Sequence, residues 1–169
     1  KRYLQGVLSR DGVFLRPYEF YEENQVELRT GRTVTALDVR ARRLSLDDGD
    51  ELGFEKLLLA TGGRPRHLAL PGAELAGIHY LRTLEDSDAL KDAMSRAKRL
   101  IVVGGGFIGC EVAAAGVLRG IDTTVIEVGP YILNQAFDEP TGRWVMDYLI
   151  AKGMKVRCGE RAAKFLGED

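Results

Sequence analysis

Three glycines, Gly104, Gly106 and Gly109, stand at the spacing Gly-x-Gly-x-x-Gly between an apolar run, Arg99 to Val103, and a stretch of helix formers from Ile108. At a strand-to-helix turn each glycine has a mechanical use. Gly104 permits the tight turn, Gly106 lets the backbone approach a ligand with no Cβ in the way, and Gly109 lets the helix lie close on the strand. Phe107 and Ile108 complete the turn. The unpaired amides and the positive dipole end of the helix start favour an anionic group such as a pyrophosphate bridge. The glycine pattern alone also describes any flexible loop. Glu127, 23 residues beyond Gly104 at the end of the next apolar run, supplies the second half of the signal. A carboxylate there accepts from both hydroxyls of an adenosine ribose and repels a 2′-phosphate. The following VGPYILNQAF contains no Arg or Lys to attract one. Together these residues predict a dinucleotide site that prefers NADH to NADPH.

The other reactive side chains carry less. Cys110 and Cys158 are 48 positions apart, so they make neither a Cys-x-x-Cys pair nor a metal knuckle. Cys110 falls near a helix start, where a thiol's pKa can drop, but no His or second Cys stands beside it and packing is the simpler reading. His67 and His79 have no metal-ligand partner at helical spacing and read as ordinary polar residues. Trp144 reads as core packing.

These residues need elements to position them. From Val26 the chain runs in short alternating segments broken by Gly31, Arg40 to Arg43 and Asp47 to Asp50, which predicts an antiparallel β-meander with one face inward. Lys56 to Ala60 lacks polar alternation and reads as a strand covered on both faces, ending in Thr61, Gly62 and Gly63. Residues 64–80 read as a connector. Thr83 and Asp86 form a capping box before a helix whose Leu90, Ala93, Met94 and Ala97 fall at helical spacing. Then come a buried strand at Arg99 to Val103, a helix at Ile108 to Arg119, a strand at Thr123 to Glu127, a helix at Glu139 to Lys152 and a strand from Lys155. Asp138, Pro140 and Gly153 are the cap, first-turn and stop signals of that last helix. The alternation predicts an α/β fold, a doubly wound, Rossmann-like parallel sheet, beside part of a second domain carrying the meander.

Composition narrows the function classes. With 169 residues and a formal charge of −1, the chain has no field or basic run to gather nucleic acid or an anionic membrane surface. No apolar stretch approaches the roughly 20 residues of a membrane span, and KRYLQGVLSRDG has no apolar centre of a secretory signal. A cytoplasmic location is the expectation.

The order of meander, apolar run ending Ala60-Thr61-Gly62, connector and glycine turn resembles the FAD-dependent pyridine nucleotide-disulfide oxidoreductases. Within them it is most similar to the ferredoxin reductases of oxygenase systems, the putidaredoxin and rhodocoxin reductase type, and to the related apoptosis-inducing factor. The likeness rests on Lys1-Arg-Tyr-Leu4, Leu15-Arg-Pro17, the segment Leu57 to Arg66, Tyr80 to Asp86 and Gly104 to Glu111. It implies that Lys1 and Glu111 lie by the flavin ring and nicotinamide, that the backbone at Val34 meets the adenine of FAD, and that Arg82 contacts FAD, with Thr61 and Gly62 also binding cofactor.

The resemblance further implies FAD and NAD as cofactors and a ferredoxin-type iron–sulfur protein as electron acceptor. Such enzymes open with a second glycine fingerprint for FAD, and this chain holds one fingerprint. It therefore reads as an internal fragment, with residues 1–63 part of an FAD-binding domain, 64–98 connector and helix, and 99–169 part of an NAD-binding domain, and with little turnover expected from these residues alone. NADH oxidase or coenzyme A disulfide reductase, and a NAD-responsive binding protein like apoptosis-inducing factor, are the alternative functions.

Overall fold

The computed structural model describes residues 2–167. It divides into two compact units, Phe14–Gly63 and Lys1–Val13 with Arg64–Asp169.

In the smaller unit a short helix, α1 (Tyr18–Glu23), precedes three strands, β1 (Val34–Asp38), β2 (Arg43–Leu46) and β3 (Glu51–Gly53). They pair antiparallel in the order β1-β2-β3, with Leu37 opposite Leu44 and Leu44 opposite Leu52. The expected meander is present, but it starts later than the sequence pattern predicted. Val26 instead donates its amide to the Tyr21 carbonyl at 2.8 Å, and residues 26–29 form no strand. Every residue of β1 is exposed, so its predicted inward face has nothing over it in this unit.

Lys56 to Ala60 is a clearer departure, since it forms no strand and leaves Leu58 86% and Leu59 65% exposed. A run of apolar residues becomes a strand only when a neighbour takes its amides and carbonyls, and no described strand lies beside it.

In the larger unit the N-terminal residues dock on α2 (Leu84–Arg96). Leu4 is buried among Leu90, Met94, Val112, Ala115 and Ile121. Its carbonyl accepts from Arg119 Nη1 at 2.9 Å, Tyr3 donates its hydroxyl to Asp88, and Arg10 donates to the same carboxylate. Thr83 and Asp86 form the expected capping box on α2.

The parallel sheet follows as β4 (Arg99–Val103), α3 (Phe107–Leu118), β5 (Asp122–Glu127), α4 (Glu139–Ala151) and β6 (Lys155–Cys158), in the order β4-β5-β6. Apart from Glu111, α3 has no charged residue, as suits a helix packed on more than one side. Val112 and Ala115 enter the core with Leu4, while Cys110 and Ala113 enter a second core with Val125, Ile132, Leu133 and Met154. Gly116 permits the close contact of α3 with β5, because a Cβ there would lie 2.6 Å from Thr123 Oγ1.

Two expectations are corrected in this unit. β4 is covered on one face only, with Ile101 65% and Val103 41% exposed, because α3 packs on a single side of it. Trp144 is not core: it is 68% exposed and stacks on Tyr148 one turn along α4, while Val145, Met146 and Leu149 supply that helix's inward side. Asp138 caps α4 by accepting from the Thr141 amide, and Gly153, at φ +100°, ends it in the left-handed conformation. Among the described residues no helix is long and apolar enough to cross a membrane.

Candidate functional site

The glycine motif is the bend between β4 and α3. Gly104 takes φ +106° and still continues the sheet by donating its amide to the Ile126 carbonyl at 2.8 Å. Gly109 is dictated by contact, since a Cβ there would sit 1.9 Å from the Gly104 carbonyl oxygen. Gly106 is the N-cap of α3, with nothing within 4 Å of a Cβ position and no side-chain cap on the helix. The first helical bond runs from the Cys110 amide to the Gly106 carbonyl, so the amides of the preceding turn have no intrahelical acceptor. An uncapped helix start with open space over its N-cap glycine is an anion site in waiting. Phe107 and Ile108, 59% and 58% exposed, present apolar surface beside it.

Glu127 ends β5 under this turn and is only 9% exposed. Its Oε2 accepts the Gly105 amide at 2.6 Å, and its Oε1 accepts the Gly129 amide at 2.7 Å and Asn134 Nδ2 at 3.3 Å. Burial pushes the carboxyl's pKa up, but the amides of Gly129 and Gly105, the Asn134 side chain and the Val128 amide outweigh it and hold the group below its ordinary value. The acid is therefore an anion at neutral pH. The sequence predicts a carboxylate that accepts from both ribose hydroxyls, whereas in the fold Gly105, Gly129 and Asn134 already donate to it.

Two cavities meet at the turn. One of about 410 Å³ is bordered by Gly105, Gly106, Phe107, Glu127, Asn134 and Gln135. The other, about 650 Å³, is bordered by His79, Ile101, Val103, Gly104, Gly106 and Phe107. The surface thus offers one recess on the acidic side of the anion-binding bend and a second, more apolar recess beyond it.

The remaining predicted site residues are spread over the chain. Arg82 and Glu111 come together, lining a small cavity of about 170 Å³ with Leu4, Leu81, Ile108 and Val112. Val34 opens β1, and Thr61 and Gly62 lie in the irregular end of the smaller unit. Lys1 lies outside the described residues. The Cys110 thiol does not gain reactivity from the helix start: it donates to the Gly105 carbonyl at 3.3 Å, and burial, then the nearby Glu127 charge, push its pKa up to about 11.

Gly105, Gly129, Leu133 and Asn134 carry no signal in the glycine spacing, yet they build the site. A Cβ on Gly105 would lie 2.8 Å from Ile132 Cγ2, and the Leu133 amide, on a residue at φ +57°, donates to the Gly105 carbonyl at 2.8 Å. Only the middle glycine of Gly104-Gly105-Gly106 and the run of loop residues after Glu127 hinted at them.

A profile of the pyridine nucleotide-disulphide oxidoreductase family matches residues 5–169. The chain is 39% identical over 149 residues to the ferredoxin–NAD(+) reductase component of a biphenyl dioxygenase system from Paraburkholderia xenovorans, an alignment covering 88% of this chain and 36% of the relative. Its fold superposes on the ferredoxin reductase for the CYP199A2 system from Rhodopseudomonas palustris with a TM-score of 0.88 at 31% identity, covering 99% of this chain and 41% of that one. The reductase fold in a covalent putidaredoxin reductase–putidaredoxin complex gives a TM-score of 0.85 at 30% identity, with coverage of 99% and 41%. The chain spans about two fifths of the length of these relatives.

Proposed function

The chain belongs to the pyridine nucleotide-disulphide oxidoreductase family, and on that premise we propose that it forms the coenzyme-binding part of an FAD-dependent reductase that takes hydride from NADH. The observation that carries the reading is the closure of the Gly104 to Gly109 bend onto the ionised carboxylate of Glu127. The amides at the start of α3 hold the pyrophosphate, Glu127 accepts from the adenosine ribose in the smaller recess, and the nicotinamide half extends into the more apolar one, where Phe107 and Ile108 exclude water.

Bound FAD supplies a two-electron acceptor that can release electrons singly. On the strength of the resemblance, Lys1 and Glu111 lie by the flavin ring and nicotinamide, Arg82 and the backbone at Val34 contact FAD, and Thr61 and Gly62 bind cofactor. A ferredoxin-type iron–sulfur protein is the proposed acceptor, supported by the relatives' names, among them that of the biphenyl dioxygenase reductase component. Both cysteines are free thiols, which suits a reducing compartment such as the cytosol. Cys110, buried and with its thiol pKa pushed up to about 11, is not itself a reactive thiol.

The test is anaerobic mixing of the flavin-loaded protein with NADH and with NADPH. Bleaching of the flavin band by NADH well below the NADPH concentration needed, with cytochrome c reduction that depends on added [2Fe–2S] ferredoxin, is the expected result. Equal use of the two coenzymes, or turnover indifferent to ferredoxin, would refute the corresponding half of the proposal.

A further inference from the structure

We propose that Arg119 is a positioning residue for hydride transfer: by holding the Leu4 carbonyl it fixes the N-terminal segment that forms part of the wall behind the more apolar recess. The inference rests on the reading of that recess as the place of the nicotinamide half and deepens it. Arg119 is the C-cap of α3, and its Nη1 donates to the Leu4 carbonyl at 2.9 Å across 115 residues of chain. A guanidinium suits this place. It stays charged at any working pH, the carbonyl end of a helix favours a cation, and a charged donor bonds a carbonyl more strongly than a neutral one.

The held segment reaches the site through Leu4. That side chain is 1% exposed and packs with Leu90 and Met94 of α2 and with Val112 and Ala115 of α3. A turn follows it, in which the Gly6 amide donates to the Tyr3 carbonyl and the Val7 amide to the Arg2 carbonyl, both at 3.0 Å. On the α2 side Tyr3 and Arg10 share Asp88, and Lys91 Nζ lies 4.2 Å from the centre of the Tyr3 ring. Leu4 borders the cavity of about 170 Å³ together with Leu81, Ile108 and Val112, and those three residues also border the recess of about 650 Å³. The two spaces share a wall, and Leu4 stands behind it. One helix therefore carries the pyrophosphate amides at its start, the recess wall at Ile108 and Val112, and at its end the arginine that pins the segment packed on that wall. Without Arg119 the Leu4 carbonyl loses its donor and must turn toward water for another, which draws Leu4 off the wall. Hydride transfer needs its reacting atoms about 3–3.5 Å apart and is sensitive to small misplacements. Affinity for NADH comes largely from the pyrophosphate and ribose contacts, so the rate should fall while binding holds.

The experiment compares the flavin-loaded protein with Arg119→Met, which keeps the apolar stem and removes the donor, and with Arg119→Lys, which keeps a charged donor. Three quantities are read: the rate constant of flavin bleaching at saturating NADH without oxygen, the NADH dissociation constant, and hydrogen exchange at the Gly6 and Val7 amides. Arg119→Met is expected to slow bleaching on the order of tenfold, to leave the dissociation constant unchanged and to speed exchange at both amides. Arg119→Lys should recover most of the rate. Asp138→Ala, which weakens the cap of α4, is the stability control and should alter none of the three. Should Arg119→Met not accumulate as folded protein, Arg119→Gln, a neutral donor of shorter reach, gives the same comparison.

Faster exchange with an unchanged bleaching rate would show that Arg119 only anchors the segment, and overturns the inference. A matched loss of rate and affinity would mean a general disturbance of α3 and overturns it equally, as would exchange that does not respond to the substitution. Ile108→Ala alters the recess wall directly and tests the premise by itself. If it leaves the bleaching rate intact, the placement of the nicotinamide fails first; if it slows bleaching while Arg119→Met does not, only the role of Arg119 is refuted.

Discussion

The Gly105 amide and Glu127 Oε2 meet at 2.6 Å, which ties the middle of the glycine bend to the end of the next strand, 22 residues away in sequence. That bond makes the bend and the acid one object. A change at either should register at the other, and the first two predictions use this coupling.

Gly109→Ala places a Cβ 1.9 Å from the Gly104 carbonyl, a contact that forces either the helix or the bend to move. Overpacking of this kind costs about 1–3 kcal/mol. Chemical denaturation should show a loss in that range, together with weaker NADH binding. An unchanged midpoint and affinity would mean that the bend is looser than the structure has it.

Glu127 makes stability depend on pH. Its native pKa lies below the ordinary value of about 4.5, so the unfolded chain binds the proton more readily than the folded one. The stabilisation is fully present above that value and is lost as pH falls through the lower native one. Urea midpoints between pH 6 and pH 3 should fall, and Glu127→Gln should flatten the part of the slope that this carboxylate contributes.

Cys110 behaves in the opposite sense. Its thiol is raised from about 9 to about 11, so the folded state keeps a proton that the unfolded state gives up. The associated stability is complete below pH 9 and declines as pH rises toward 11. At pH 8 alkylation of Cys110 in the native protein should be far slower than after denaturation, as peptide mass spectrometry would show.

Asp138 accepts from the Thr141 amide at the start of α4. Asp138→Ala should cost about 1 kcal/mol, the usual worth of an N-cap. A thermal unfolding series with Asp138→Asn, which retains the acceptor, separates the cap from general effects of the substitution.

Trp144 is the protein's single tryptophan and is 68% exposed. Its fluorescence should be quenched readily by acrylamide, and Trp144→Ala should change stability by no more than about 0.5 kcal/mol. Strong protection from quencher would place the indole in a contact that this chain does not make with itself.

The sequence by itself determined the features governed by local chemistry. Thr83 with Asp86, Asp138 with Pro140, and Gly153 marked helix ends because capping and left-handed termination depend on a few adjacent residues. Gly104, Gly106 and Gly109 marked the bend because absence of a Cβ is itself the requirement. Glu127 was legible because one strand's length separates it from the helix that it serves.

Only the tertiary structure decided which apolar faces are covered and how the acid is held. The leucines of residues 57–59, Ile101 and Trp144 all read as interior by type, yet burial belongs to whatever covers a residue, and in the described chain these stay exposed. The grip of Gly105, Gly129 and Asn134 on Glu127 joins two loops whose approach is set by β4 lying parallel to β5. Spacing along the chain cannot encode that approach, because the hydrogen bonds exist only once the two strand ends stand side by side.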